Sequence, residues 1–300
     1  MHRSRRPLAL LALALLSLAL PAQTQAQGTP RPDADPRIQK LVAAVSAERL
    51  RAIVAKLESF GTRSTLSDTV STTRGIGAAR RWIHEEFTRS SPKLQVAFDR
   101  HPIAQQGRIT RDVELVNVVA VLPGRSPRRV YISGHYDTVN LRAAMAGVRP
   151  STPGQQPAPN HDVDAPGAND DGSGTALTIE LARVFAESGL DFDATLVFIA
   201  WAGEEQGLIG SMAHATALAD AKGVVEANFN NDIVGSSLGG NGIIDAESVK
   251  IYSLGPEDSM SRSLARYIAR IAGVYVPSHT IRLMAREDRF GRGSDHSSFT

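Results

Sequence analysis

Cysteine is absent from all 300 residues. That excludes disulfides, cysteine nucleophiles, cysteine-ligated zinc and iron–sulfur clusters, so the chain must be held by its core or by bound metal. A surplus of one charge sign is missing too, because 33 Lys+Arg face 31 Asp+Glu. Three of the basic residues, Arg3, Arg5 and Arg6, lie within the first six positions, and without them acids slightly outnumber bases. Such a balance offers no electrostatic hold on a phosphate backbone, and nucleic acid is not an expected partner. Long hydrophobic runs are also lacking. The apolar stretch Leu8–Leu20 is shorter than the ~20 residues that span a bilayer comfortably.

That stretch follows a basic start and precedes the small residues Ala22 and Ala26, the pattern of a secretory signal. The expected organisation is a leader over 1–26, a Pro- and Gly-containing linker over 27–36 and one folded domain over 37–300. The mature chain is expected to be exported, to the periplasm or beyond it, and to keep no stable membrane association after cleavage. An uncleaved anchor is the alternative. Nothing in the sequence fixes the oligomeric state.

Helical spacing of apolar residues appears at Ile38, Leu41, Val42 and Val45, at Leu50, Ile53, Val54 and Leu57, and at Ile76, Ala79, Trp82, Ile83 and Phe87. Short β-type runs follow at 115–122, 130–133, 196–201 and 227–234, with helical segments near 173–187, 206–221 and 258–272. Apolar strands alternating with helices predict an α/β domain whose mixed, largely parallel central sheet is covered by helices on both faces. The proline-rich stretch 149–166 predicts a surface loop.

Five short segments carry chemistry. Ser133-Gly134-His135-Tyr136-Asp137-Thr138 follows a strand, where residues two apart point the same way, so the Asp137 carboxylate can orient the His135 imidazole. A turn holding a hydrogen-bonded histidine explains it equally well. Pro166-Gly167-Ala168-Asn169-Asp170-Asp171-Gly172-Ser173-Gly174 carries two acids into a helix, and ordinary helix capping accounts for acids there. Ala202-Gly203-Glu204-Glu205-Gln206-Gly207 leaves a buried strand, where neighbouring carboxylates repel and raise one another's pKa unless a cation intervenes. Consecutive side chains diverge, so one acid can ligate while the other faces water. Asn230-Asn231-Asp232 ends another strand, and Gly293-Ser294-Asp295-His296 lies near the C-terminus. His135, Glu205 and Asp232 thus follow three strands of one sheet, at the carboxyl ends where such sheets build sites. Histidines and carboxylates without thiolate form a donor set suited to zinc, with cobalt or manganese as alternatives.

GHYDT, PGANDDGSG, WAGEEQG, NND and SDH, in this order, resemble the co-catalytic di-zinc exopeptidases that include bacterial leucyl aminopeptidases, aminopeptidase Y and glutamate carboxypeptidase. The resemblance runs from about residue 60 to the end. It implies a zinc-exopeptidase fold and two Zn2+ ions, one held by His135 and Asp232, the other by Glu205 and His296, with Asp170 shared. It further implies Glu204 as general base, Asp137 as the partner of His135, and peptide hydrolysis by a water activated between the ions. The family's pattern continues past its last histidine with further strand and helix, so a domain cut short at its C-terminus is expected.

Peptide substrates with a free N-terminus are the expected partners. A carboxypeptidase of this family would clamp a free carboxylate with fixed cations, and the segments 134–138, 167–174, 202–207 and 230–235 hold no Arg or Lys. Arg286, Arg289 and Arg292, just before His296, argue the other way. Gly235-Ser236-Ser237-Leu238-Gly239 fits a serine-hydrolase elbow but is followed by glycines where a helix is required. A metal-free binding protein on this fold should have lost ligands, and glutaminyl cyclases of this fold work with one zinc; the complete ligand set argues against both. His84, His101, His161, His214 and His279 belong to no motif and are expected to be surface or satisfied interior residues.

Overall fold

The computed structural model describes residues 34–147, 159–286 and 293–300. The leader, most of the linker, most of the 149–166 loop, Arg289 and Arg292 lie outside the described residues. The chain opens with α1 (Pro36–Ala43), α2 (Ala47–Glu58) and α3 (Gly75–Ser90). Then come β1 (Gln95–Ile103), β2 (Val113–Leu122), β3 (Ser126–His135), a single turn α4 (Leu141–Ala144), α5 (Gly172–Glu187), β4 (Ala194–Trp201), α6 (Ile209–Asp220) and β5 (Val225–Asn230). The described residues end with β6 (Ser248–Tyr252), α7 (Met260–Tyr275), β7 (Thr280–Met284) and a 3-10 helix (Asp295–Phe299).

The main sheet runs β1-β2-β4-β3-β5. β1 and β4 each pair antiparallel with β2, whereas β3 pairs parallel with both β4 and β5. It is a mixed sheet whose parallel half carries the motifs. β6 and β7 form a separate two-stranded parallel sheet. Among the described residues no helix is long and apolar enough to cross a membrane.

Alternation along the strands builds a core on each side. Val118, Ala120, Ile132, Phe198 and Ala200 face Ile53 and Leu57 of α2, Ile76, Ile83 and Phe87 of α3, and Ile179 and Ala182 of α5. Their neighbours Val119, Tyr131, Val197, Ile199 and Trp201 face the opposite way, against Leu218 of α6 and Phe299 of the 3-10 helix. Most of β2 and β4 is therefore buried, which explains their continuous apolar sequences.

The helices begin where side chains satisfy their free N–H groups. Asp35, Ser46, Asp171 and Ser259 accept from the backbone N–H of Arg37, Arg49, Gly174 and Arg262. α6 begins at Ile209 rather than 206 because Glu204 to Leu208 make a turn closed by Leu208 at φ 61°. β5 stops at Asn230, short of the expected Val234, because the Asn231 N–H turns to the Ser133 carbonyl at 2.7 Å and Ile233 takes φ 56°. Residues 235–242 form no helix and close on a bridge between Leu238 and Ile244, which removes the serine-hydrolase elbow.

Candidate metal centre

The register places the strand ends level with one another. His135 closes β3 beside Trp201 of β4, and Ser133 pairs with Asn230 of β5. Beyond Trp201 the chain turns sharply at Gly203, whose φ of 75° and contact with Leu115 leave no room for a side chain. Glu204 and Glu205 follow at once. Asp232 lies two residues past the end of β5.

These segments meet at the His135 imidazole, which is buried. Its Nε2 lies 3.2 Å from Asp170 Oδ1, 3.8 Å from Asp232 Oδ1 and 3.9 Å from Glu204 Oε2. Its Nδ1 faces the main-chain carbonyl of Asp137 at 3.1 Å. A carbonyl can only accept, so Nδ1 donates, and Nε2 faces three carboxylates, donating to them when protonated and offering its lone pair when a cation takes the proton's place. Three carboxylates converging in a buried space repel one another, and either a proton on Nε2 or a divalent cation offsets that repulsion. One imidazole with surrounding carboxylates suits zinc.

The Asp137 carboxylate has a further task besides facing the imidazole. It stands 3.6 Å from Nδ1, accepts the Thr65 hydroxyl at 2.9 Å and takes the backbone N–H of Glu204 and Glu205 at 3.2 Å each. Asp137 therefore orients His135 chiefly through its carbonyl, with its carboxylate beside the same nitrogen, and fixes the Glu204-Glu205 turn through its side chain.

The paired acids 170 and 171 divide the two roles the sequence left open. Asp171 is fully buried and accepts from the N–H groups of His135, Gly174 and Ile233 at 3.0, 2.9 and 3.2 Å. It is near enough to form a ligand group with His135 and Asp232, their donor atoms all within 4.8 Å of one another. Its lone pairs, however, serve the backbone, and it caps α5 and ties β3 to the loop after β5. Asp170 is the acid turned to Nε2.

Glu205 follows Glu204 on the same turn. His296 sits in the 3-10 helix, which Ser294 fastens to β5 by accepting from Asn230 Nδ2 at 2.8 Å. Among the described residues, Glu205 and His296 belong to neither of the close-set ligand groups. Asp295, beside His296, is fully buried, and burial pushes its carboxyl well above the usual range against the pull of His135.

Burial pushes both Glu204 and Glu205 up to about 7, with Asp137 and the neighbouring acids adding to it. His135 and, at Glu205, Arg108 pull the other way. At His135 burial opposes protonation, but hydrogen bonds to Asp137, Asp170 and Asp232 outweigh it and raise the imidazole well above its ordinary value. Negative charge is in excess throughout.

A residue without any motif holds the arrangement together. Arg63 is fully buried and donates through Nε to the Tyr136 carbonyl at 2.7 Å. Its other nitrogens reach the carbonyls of Leu57, Pro166 and Gly167 at 3.0, 2.7 and 2.9 Å. It thus binds the loop leading to Asp170 against the chain leaving β3. Thr62-Arg63-Ser64-Thr65 is an ordinary polar run, and no sequence signal marks it. Arg286 stacks on the Tyr252 ring, 5.7 Å from its centroid, at the small sheet.

Comparison with known proteins follows the same residues. The profile of "Peptidase family M28" matches residues 117–300. A probable zinc metalloprotease of Pyricularia oryzae is 41% identical over 293 residues, covering 89% of this chain and 55% of its own length. The chain thus spans about half of that relative. Among solved structures, LapB from Legionella pneumophila superposes with a TM-score of 0.63 at 22% identity, over 88% of this chain and 61% of that one. A glutaminyl cyclase from Porphyromonas gingivalis gives 0.63 at 17% identity, over 85% and 80%. These likenesses describe the fold.

Proposed function

The chain belongs to peptidase family M28, and from that premise we propose that it is a zinc-dependent exopeptidase, an aminopeptidase that removes N-terminal residues from peptides. The observation that carries this reading is the convergence of Asp170, Glu204 and Asp232 on His135 Nε2 at the carboxyl ends of a parallel sheet.

Zinc, when bound in such a centre, acidifies water and polarises a peptide carbonyl. His135 and Asp232 would hold one ion, Glu205 and His296 a second, with Asp170 between them. His135 presents a fixed Nε2 lone pair because Asp137 engages the other nitrogen. Glu204 takes the proton of the attacking water and returns it to the leaving amine. Without metal its carboxyl is pushed up to about 7 by burial. Bound zinc lowers that value, which favours the acceptor form when substrate enters.

The acid-rich rim suits a free ammonium group at the substrate's N-terminus. Arg63 spends its donors on carbonyls, so it is not a carboxylate clamp, and Arg286 stacks on the Tyr252 ring. Export through the leader 1–26, no partnership with nucleic acid and no lasting membrane association complete the proposal.

The test is a pair of substrates, an aminoacyl-p-nitroanilide and its N-acetyl counterpart. Cleavage of the free-amine compound alone supports the proposal. Turnover of the blocked compound, or release of C-terminal residues from an N-blocked peptide, requires the carboxypeptidase reading.

A further inference from the structure

Two histidines that belong to no motif meet on the sheet face opposite α2, α3 and α5. Asp99 and His101 lie two apart on the edge strand β1, so their side chains share a face. α6 brings His214 down to them. Asp99 Oδ2 is 2.9 Å from His101 Nε2 and 2.9 Å from His214 Nδ1, and the three donor atoms lie within 4.8 Å of one another.

Hydrogen bonding alone loads this cluster heavily. The same Oδ2 also receives Asn117 Nδ2 at 2.9 Å, so three donors crowd one carboxylate oxygen that has about two lone-pair directions. A cation removes the conflict, because both imidazoles then turn lone pairs to the ion and Asn117 keeps its bond. His214 is already braced as metal-ligating histidines are, its second nitrogen 3.0 Å from the Tyr131 hydroxyl. The three side chains are between 15 and 26% exposed, which covers the site yet leaves room for a water as fourth ligand.

We propose that Asp99, His101 and His214 form a second divalent-cation site, apart from the His135 centre, that takes a zinc-class ion. Two imidazoles and one carboxylate are the donors such an ion accepts. Its place in the fold indicates a structural task. Only Gly210 and Ser211 of α6 are fully buried, with Ile209 and Leu218 packed partly buried against the core, and an ion here adds a tie from α6 to β1. The His214 ring also packs edge-on against Trp201, 5.3 Å between centroids, and lies 6.5 Å from Phe299 of the 3-10 helix that bears His296.

Zinc content per chain after loading and dialysis tests this, with hydrolysis followed separately so that the site and the catalytic reading can fail independently. His101→Ala should carry one zinc fewer than wild type, keep its hydrolytic rate and lose part of the rise in Tm that zinc gives. An unchanged zinc content overturns the proposal. The complementary protein leaves the cluster intact and cuts the other centre, His135→Ala with Glu205→Ala and His296→Ala. It should retain one zinc, which adding His214→Gln removes; no retained zinc overturns the proposal whether or not His101→Ala folds.

Discussion

Glu204 stands 3.9 Å from the His135 imidazole, buried among acids, with its carboxyl pushed up to about 7. If it moves the proton, Glu204→Gln should retain metal and fold while the rate falls roughly 10²–10⁴-fold, the usual worth of general-base catalysis. Steady-state kinetics on the metal-replete variant check this, and an unchanged kcat rules Glu204 out as the base. Arg63 gives a second prediction. Arg63→Met strands the carbonyls of Leu57, Tyr136, Pro166 and Gly167 in a buried space. The orphaned acceptors should cost about 3 kcal/mol after relief of the guanidinium's own desolvation, read by denaturant unfolding. His135, Glu204 and Asp232 were legible because each sits at or just past a strand end in a recognisable motif, and Asp170 because its glycine-rich motif leads into α5. Arg63 and Asp171 were not, since their importance comes from burial and from backbone partners distant in the chain. The split of tasks within Asp137, carbonyl to imidazole and carboxylate to the next turn, likewise depends on packing that a sequence does not display.

At the scale of elements, β2, β3 and β4 were legible because their apolar runs are buried on both faces. β1 was missed. Its sequence mixes Val96, Phe98 and Ile103 with Asp99, Arg100 and Pro102, as an edge strand half-turned to polar partners allows. β6 and β7 are five residues each and only partly buried, too short for periodicity to register. β4 is the element on which the rest depends, since it joins the antiparallel half to the parallel half and delivers Glu204. Phe198, fully buried at its centre among the helices' side chains, should be costly to shorten. Phe198→Ala is expected to lose about 3–5 kcal/mol, and thermal or urea unfolding checks it; a loss below about 1 kcal/mol contradicts the packing described.

For the whole molecule, excess negative charge around one imidazole makes stability depend on metal and pH together. Glu204 and Glu205 rise from an ordinary 4.5 to about 7 on folding, so the metal-free native state holds more protons than the unfolded chain between those values. Stability of metal-stripped protein should therefore be greatest below about 4.5 as far as these groups decide, and should fall as pH rises toward about 7. Zinc favours the ionised forms and should flatten or reverse that slope, besides raising Tm by binding the native state. Differential scanning fluorimetry across this range, with and without zinc, distinguishes the two profiles; identical slopes contradict the electrostatic account.

The central claim is that the strand ends around His135 hold the catalytic zinc, and anomalous diffraction at the zinc edge from loaded crystals tests it most directly. The account predicts a peak at about 2.0–2.1 Å from His135 Nε2 and at similar distance from carboxylate oxygens of Asp170 and Asp232, with a second peak between Asp170, Glu205 and His296. Zinc-loaded crystals with no anomalous density at His135 would contradict it.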